Sequence, residues 1–427
     1  MMEAVGADEG GAVGRPDVDP WTPVEPLARA AAAVDGWLHR ITRGRWWAWQ
    51  AVGIAVVVGM VLAGPPVGGF QSPRAVVWRY DFANSGPQLF DPHVNLHDAT
   101  GNLTFRFVPR LIGAAFGFDS QWQFYVMQLV FGVLLLWAVA QIYDQVLGSR
   151  VQATLLTVAT ACTWAGATAW VETRGLFDVV GIALLALCMR TRRPWLALFF
   201  ALAASFSDER ALIALPVVIC WHAFRPDHRL DEFEELHAVD EEYGAATLAP
   251  IGTEPSFVRR FLRPLPLLVA LTFVLHLGIR TWLKHRYGLV ESHNRYPDNP
   301  YTQLRNYPNG IWGAFEGLWL VIVAGVATLV HRRQWALALL FGLVGIPSLL
   351  VGMSVVDVSR AIAYAWPLAP LAALGLRGLP AASIRRLVWI ATGVCAVWPM
   401  VYAAGDQTVD WFYPAPLVIV HLATGRL

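Results

Sequence analysis

The chain has 427 residues, of which 56% are hydrophobic and only 15% charged, with a mean hydropathy of +0.46. Soluble domains usually carry about 25% charged residues, so this composition points to a polytopic membrane protein. A net charge of +1 argues against an extended nucleic-acid surface. The four cysteines, Cys162, Cys188, Cys220 and Cys395, sit in apolar runs without CxxC spacing, so they read as small core residues.

Residues 1–45 begin acidic and rich in Pro and Gly, turn Ala-rich from Leu27 to Leu38, and show no cleavable signal peptide. Arg40, Arg43 and Arg45 then precede a first apolar span near Trp46–Ala63, and an arginine cluster at that place keeps the N-terminus cytoplasmic. A long outer loop follows at 66–120. Its stretch Trp78–Arg110 holds Asp81, Asp91, Asp98, His93, His97, Arg79, Arg106 and Arg110. Within it, Leu103–Phe116 places apolar residues on one side and Arg106 and Arg110 at i and i+4, a pattern that fits a helix lying along the membrane interface. His93 and His97 are also i, i+4, but Pro and Asn nearby argue against a helix, so no metal and no cofactor is assigned.

Further spans are predicted near 122–143, 153–171 and 176–189, with Glu172, Arg174 and Asp178 at an outer turn. Residues 195–223 form an apolar run broken by Ser207-Asp208-Glu209-Arg210. A single helix there would bury three charges near mid-membrane at several kcal/mol each, so two short helices turning at this tetrad are predicted instead. The region 46–223 is one transmembrane core. Residues 224–263 form an acidic cytoplasmic loop, read as a solvated surface. A C-terminal transmembrane region, 264–404, carries an outer loop at 284–311, and an outer tail covers 405–427. The total is about eleven helices in an all-α membrane fold, N-terminus inside and C-terminus outside. Lysine occurs once and arginine is otherwise the base, which with abundant Ala, Val and Trp suggests a GC-rich bacterial genome and so a bacterial plasma membrane.

On this topology the outer face collects the 66–120 loop, Glu172/Arg174, the Ser207–Arg210 turn, His285 and Arg286, and Asp357/Arg360. Arginine forks bind phosphate oxygens bidentately, so such a face suits a lipid-phosphate substrate. Over 46–223 the order of features resembles the GT-C superfamily, multispanning glycosyltransferases that use polyprenyl-phosphate sugars. A first span leads to a long outer loop with an early acid, Asp81. An outer turn Glu172-Thr-Arg174 follows, and then LALFFALAASFSDERALIALP, similar to that superfamily's small-residue run and S-K-E turn. Two features depart: Asp208 stands where Lys is expected, and the early aspartate pair is a single Asp81.

The resemblance implies inverting transfer of a sugar from a polyprenyl-phosphate donor to a lipid, glycan or protein acceptor on the outer side. Asp81, or else Asp98, is the implied general base. Arg210, Arg174, Arg360 and Arg286 are the implied cations for the leaving phosphate. Glu209 is expected to orient Arg210 or contact the sugar, with Asp208, Glu172 and His285 among the substrate-binding candidates. The alternatives are a transporter or flippase of a lipid-linked saccharide and a non-catalytic cell-envelope assembly protein. A transport path needs polar residues along several spans, and interior ionisable groups are few: Asp178, His276 and Glu316.

Overall fold

The computed structural model describes residues 24–64, 105–172, 177–226, 257–289, 307–354, 357–377, 379–398, 400–403, 409–412 and 414–424. The chain is helical almost throughout these residues. An amphipathic helix α1 (Val24–Thr42) leads into α2 (Trp47–Leu62), and α3 (Phe107–Phe116) precedes the long α4 (Gln121–Leu147). Ser120 caps α4 in a full capping box with Gln123, which satisfies two of the amide groups that a helix start leaves open. Then follow α5 (Arg150–Cys162), α6 (Trp164–Val171), α7 (Asp178–Arg190), α8 (Pro194–Ser205), α9 (Ala211–Phe224) and the short α10 (Phe257–Phe261). The second half comprises α11 (Pro264–Tyr287), α12 (Tyr307–Phe315), α13 (Leu318–His331), α14 (Trp335–Met353), α15 (Val358–Ala363), α16 (Leu368–Leu376) and α17 (Ala381–Val397). A two-stranded antiparallel hairpin, β1 (Met400–Ala403) with β2 (Val409–Phe412), pairs Met400 with Phe412, and α18 (Ala415–Thr424) ends the described chain.

The helices α5, α6, α7 and α16 are buried on nearly all sides and form the centre, with α4 packed against α5 and α7. Outward faces of α2, α8, α11 and α14 expose large apolar residues such as Val57, Phe199, Val274 and Leu343. A continuous apolar exterior of this kind is what hydrocarbon, rather than water, leaves unpunished. By length and composition α4, α11 and α14 are long and apolar enough to cross a membrane. Two bent pairs, α5 with α6 (58°) and α12 with α13 (84°), raise the candidates to five among the described residues.

The run expected to turn at Ser207–Arg210 does turn there. Helix α8 leaves from Thr191 and Arg193, and α9 returns to the same end, where Arg225 donates to the carbonyls of Met189 (3.2 Å) and Thr191 (2.7 Å). With 12 and 14 residues the two arms are roughly 18 and 21 Å long, short of a hydrocarbon core of about 30 Å.

The bundle has two chemically different ends. At one, Arg385 pairs with Asp35 of α1 (2.8 Å), Arg150 donates to the Arg43 carbonyl (3.1 Å), and Gln145 donates to the Pro226 carbonyl (2.9 Å) beside Arg225. Arginines dominate that end. Across the length of α7, about 20 Å, lies the end that gathers the carboxylates.

The described residues are all-helical as expected, apart from the short two-stranded hairpin. Of the stretch 103–116 expected as a helix, Phe107–Phe116 is helical, and Arg106 and Arg110 are 6% and 1% exposed and point into the protein.

Candidate functional site

The turn Ser207–Arg210 is built by local hydrogen bonds. Ser207 Oγ donates to the Ala203 carbonyl (2.9 Å) at the end of α8, and Asp208 Oδ1 accepts the Arg210 amide (2.9 Å). An aspartate that bonds the backbone two residues on offers the chain an alternative to the helix, so α8 stops and α9 begins here. The start of α3 docks onto the same turn. The Val108 amide donates to the Phe206 carbonyl (3.2 Å), and the Phe107 ring stacks on Phe206 with centroids 4.5 Å apart.

That docking delivers Arg106 between two acids. Its Nη1 lies 2.9 Å from Asp208, while Nε and Nη2 form a fork on Glu209 at 3.1 and 2.8 Å. Arg210 Nε pairs with Asp208 (3.0 Å), and its Nη2 stands 3.9 Å from Asp178 at the first turn of α7. Asp178 is gripped more closely by Arg360 of α15, through Nε at 2.5 Å and Nη2 at 2.7 Å. Arg360 Nη1 then reaches Asp357 (2.5 Å), which also accepts the Tyr402 hydroxyl of β1 (2.7 Å). Tyr364 donates to the Asp178 carbonyl (3.2 Å), and its ring lies 5.7 Å from the Arg210 guanidinium.

Three guanidiniums and four carboxylates from α3, α7, the α8–α9 turn, α15 and the loop before α15 therefore form one continuous network. Most of it is buried, but the Glu209 side chain is 41% exposed. Burial alone would push the Glu209 carboxyl up; the Arg106 charge and its two hydrogen bonds more than reverse this and hold it down at about 2. The same partners push the Arg106 guanidinium above its ordinary range, against the opposing effect of burial.

No protein-family model, no curated protein and no solved structure matches the chain.

Of the residues singled out from sequence, Arg106, Asp178, Asp208, Glu209, Arg210, Asp357 and Arg360 are brought together. Glu172 is buried at the end of α6, where its carbonyl accepts Gln128 Nε2 (2.7 Å) from α4. His285 and Arg286 sit exposed in the last turn of α11, and among the described residues neither forms an ion pair with the network. Asp81, Asp98 and Arg174 lie outside the described residues.

Sequence reasoning missed two neighbours of the network. Tyr402 comes from a strand that an apolar run ending at Ala403 concealed. His276 read as an isolated ionisable residue of α11, yet its Nδ1 is 3.0 Å from Ser205 Oγ and its ring stacks on Phe206 at 4.5 Å, directly beneath the turn. The spacing His276, Arg280, Lys284, one helical turn apart each time, was the available signal for this side. Among the described residues no group of three or more potential metal ligands occurs.

Proposed function

We propose that the chain is a multispanning bacterial plasma-membrane glycosyltransferase of the GT-C type. It takes a sugar from a polyprenyl-phosphate donor and passes it, with inversion, to an acceptor hydroxyl on the extracytoplasmic side. The reading includes about eleven spans, with the arginine-rich end cytoplasmic and the carboxylate end outside, as the distribution of arginine favours. One observation supports it most: acids and guanidiniums scattered from Arg106 to Arg360 converge at a single end of the bundle. Such preorganised cations stabilise the charge that grows on a departing phosphate. In this reading Arg210 is the leading phosphate contact, Glu209 holds Arg106 and faces substrate, and Asp81 or Asp98 removes the acceptor proton, a role typically worth ~10²–10⁴-fold.

The test is transfer of labelled sugar from polyprenyl-phosphate donors in membranes containing each variant. Arg210→Ala and Asp81→Asn are expected to lower turnover by at least about a hundredfold at unchanged protein level, while Arg377→Ala at the opposite end leaves it near wild type. Equal effects of Arg210→Ala and Arg377→Ala sink the proposed site.

A second reading, translocation of a lipid-linked saccharide, is favoured by the two broken helices. The sharper one turns 84° at Glu316, a fully buried carboxyl with a positive φ of 46°. Transporters place discontinuous helices of this kind around their substrate. Movement of labelled donor across reconstituted vesicles without any transfer product would establish this second reading and remove the first.

A further inference from the structure

At the arginine-rich end, α1 lies against the bundle and leaves a cleft of about 510 Å³ between itself, α2, α5 and α17. That volume falls within the range of small-molecule and lipid sites, about 300–1,000 Å³. Its walls include Val34 and Trp37 of α1, Gly53 and Val57 of α2, Val158 of α5 and Trp389 of α17. The hydroxyls that border it are already committed: Thr154 donates to the Arg150 carbonyl (2.7 Å) and Thr392 to the Leu155 carbonyl (3.1 Å). A cleft with no spare polar group has nothing to hold water and suits hydrocarbon. Gly53 makes the opening, since a Cβ built on it meets no atom within 4 Å.

The mouth of the cleft has a different chemistry. Arg385 and Arg386 lie one helical turn before Trp389 on α17, and Arg40 lies one turn after Trp37 on α1; all three are exposed. Asp35 is the only acid in this mouth among the described residues. It is engaged by Arg385 at 2.8 Å and by Trp389 Nε1 at 3.4 Å, which leaves the mouth net positive. Tryptophans at the boundary between an apolar slot and a cationic rim mark the headgroup level of a bilayer.

We propose that this cleft is a binding site for one anionic glycerophospholipid. An acyl chain would lie between α1 and α2 over Gly53, and the phosphate would sit among Arg40, Arg385 and Arg386. The arginines attract the net negative charge of an anionic headgroup, which the choline cation cancels in a zwitterionic one, so the anionic lipid is preferred by about tenfold. The site is distinct from the charged network at the other end, and the proposal does not depend on glycosyl transfer.

The experiment is native mass spectrometry of the full chain in mild detergent, after titration with dioleoylphosphatidylglycerol or dioleoylphosphatidylcholine. Wild type is expected to retain one phosphatidylglycerol at roughly tenfold lower lipid than phosphatidylcholine. Gly53→Phe sends a ring into the cleft from a Cβ that meets no atom within 4 Å, and should lose that adduct. Gly278→Phe, at an equally open glycine on α11, should keep it. Arg385→Gln with Arg386→Gln should leave an adduct that no longer distinguishes the two headgroups. Retention of the phosphatidylglycerol adduct by Gly53→Phe, equal retention of both lipids by wild type, or a dimer free of lipid would each overturn the proposal.

Discussion

Arg360 and Asp178 are both almost fully buried and meet through two hydrogen bonds, at 2.5 and 2.7 Å. Removing Arg360 leaves buried Asp178 with only Arg210, 3.9 Å away, and breaking a buried pair in this way costs about 3–5 kcal/mol. Arg360→Ala should therefore lower thermal stability in detergent sharply. The double variant Arg360→Leu with Asp178→Leu should recover much of the loss, since replacing a whole buried pair by apolar groups is often near neutral. A double variant as unstable as the single one would show that the pair is not the source.

Glu209 differs in that its side chain is 41% exposed at the tip of the turn. Its folded carboxyl sits at about 2, below the ordinary 4.5, so the folded state favours the ionised form. The contribution of the Arg106–Glu209 fork is thus fully present above pH 4.5 and is lost as pH falls toward 2. Melting curves of wild type and Glu209→Gln, recorded from pH 6 to 2.5, are expected to differ most at the upper end and to converge at the lower. Parallel curves would exclude this ion pair as a pH-dependent element.

Helices pack here through absent side chains. Gly325 of α13 faces the Ala372 carbonyl of α16 so closely that an added Cβ would stand 2.1 Å from it, and Gly375 faces Gly325 in return with 2.5 Å. Where lipid removes the hydrophobic drive between helices, small residues that let backbones meet supply the packing instead. Gly325→Leu should force α13 and α16 apart and destabilise the fold by more than ~2 kcal/mol, whereas Gly278→Leu on the open side of α11 should be silent. Equal melting temperatures for the two variants would refute the close approach.

Element by element, much of this was legible. The α8–α9 hairpin followed from the cost of burying Asp208, Glu209 and Arg210. The breaks at Thr163 and Glu316 were not legible, because an apolar run keeps its hydropathy through a bend, and nothing in composition distinguishes a straight span from one turned by 84°. The burial of Arg106 was not legible for a related reason. Periodicity reports which residues share a face, but a cation on that face is buried or wet according to which distant acids arrive, and Asp208 and Glu209 are about a hundred residues away.

For the molecule as a whole, the separation of arginines from carboxylates makes orientation measurable. A cysteine at Asp119, exposed beside the start of α4, and another at Ser383, exposed in the first turn of α17, stand at opposite ends, while the four native cysteines are buried. Impermeant thiol reagents applied to intact cells should label the Asp119 position and spare Ser383 until the membrane is opened. Labelling of both from one side would overturn the two-ended arrangement on which the proposed outer site depends.

The bond from Asp178 to Arg360 joins positions 182 residues apart. Because a ribosome delivers these residues in order, the aspartate enters the bilayer long before its partner exists. Until then the nascent half can match that acid only through Arg210, whose guanidinium stands 3.9 Å from it in the finished fold. A chain halted anywhere before α15 therefore holds this aspartate by its longer contact alone, without the two-point grip that closes the fold.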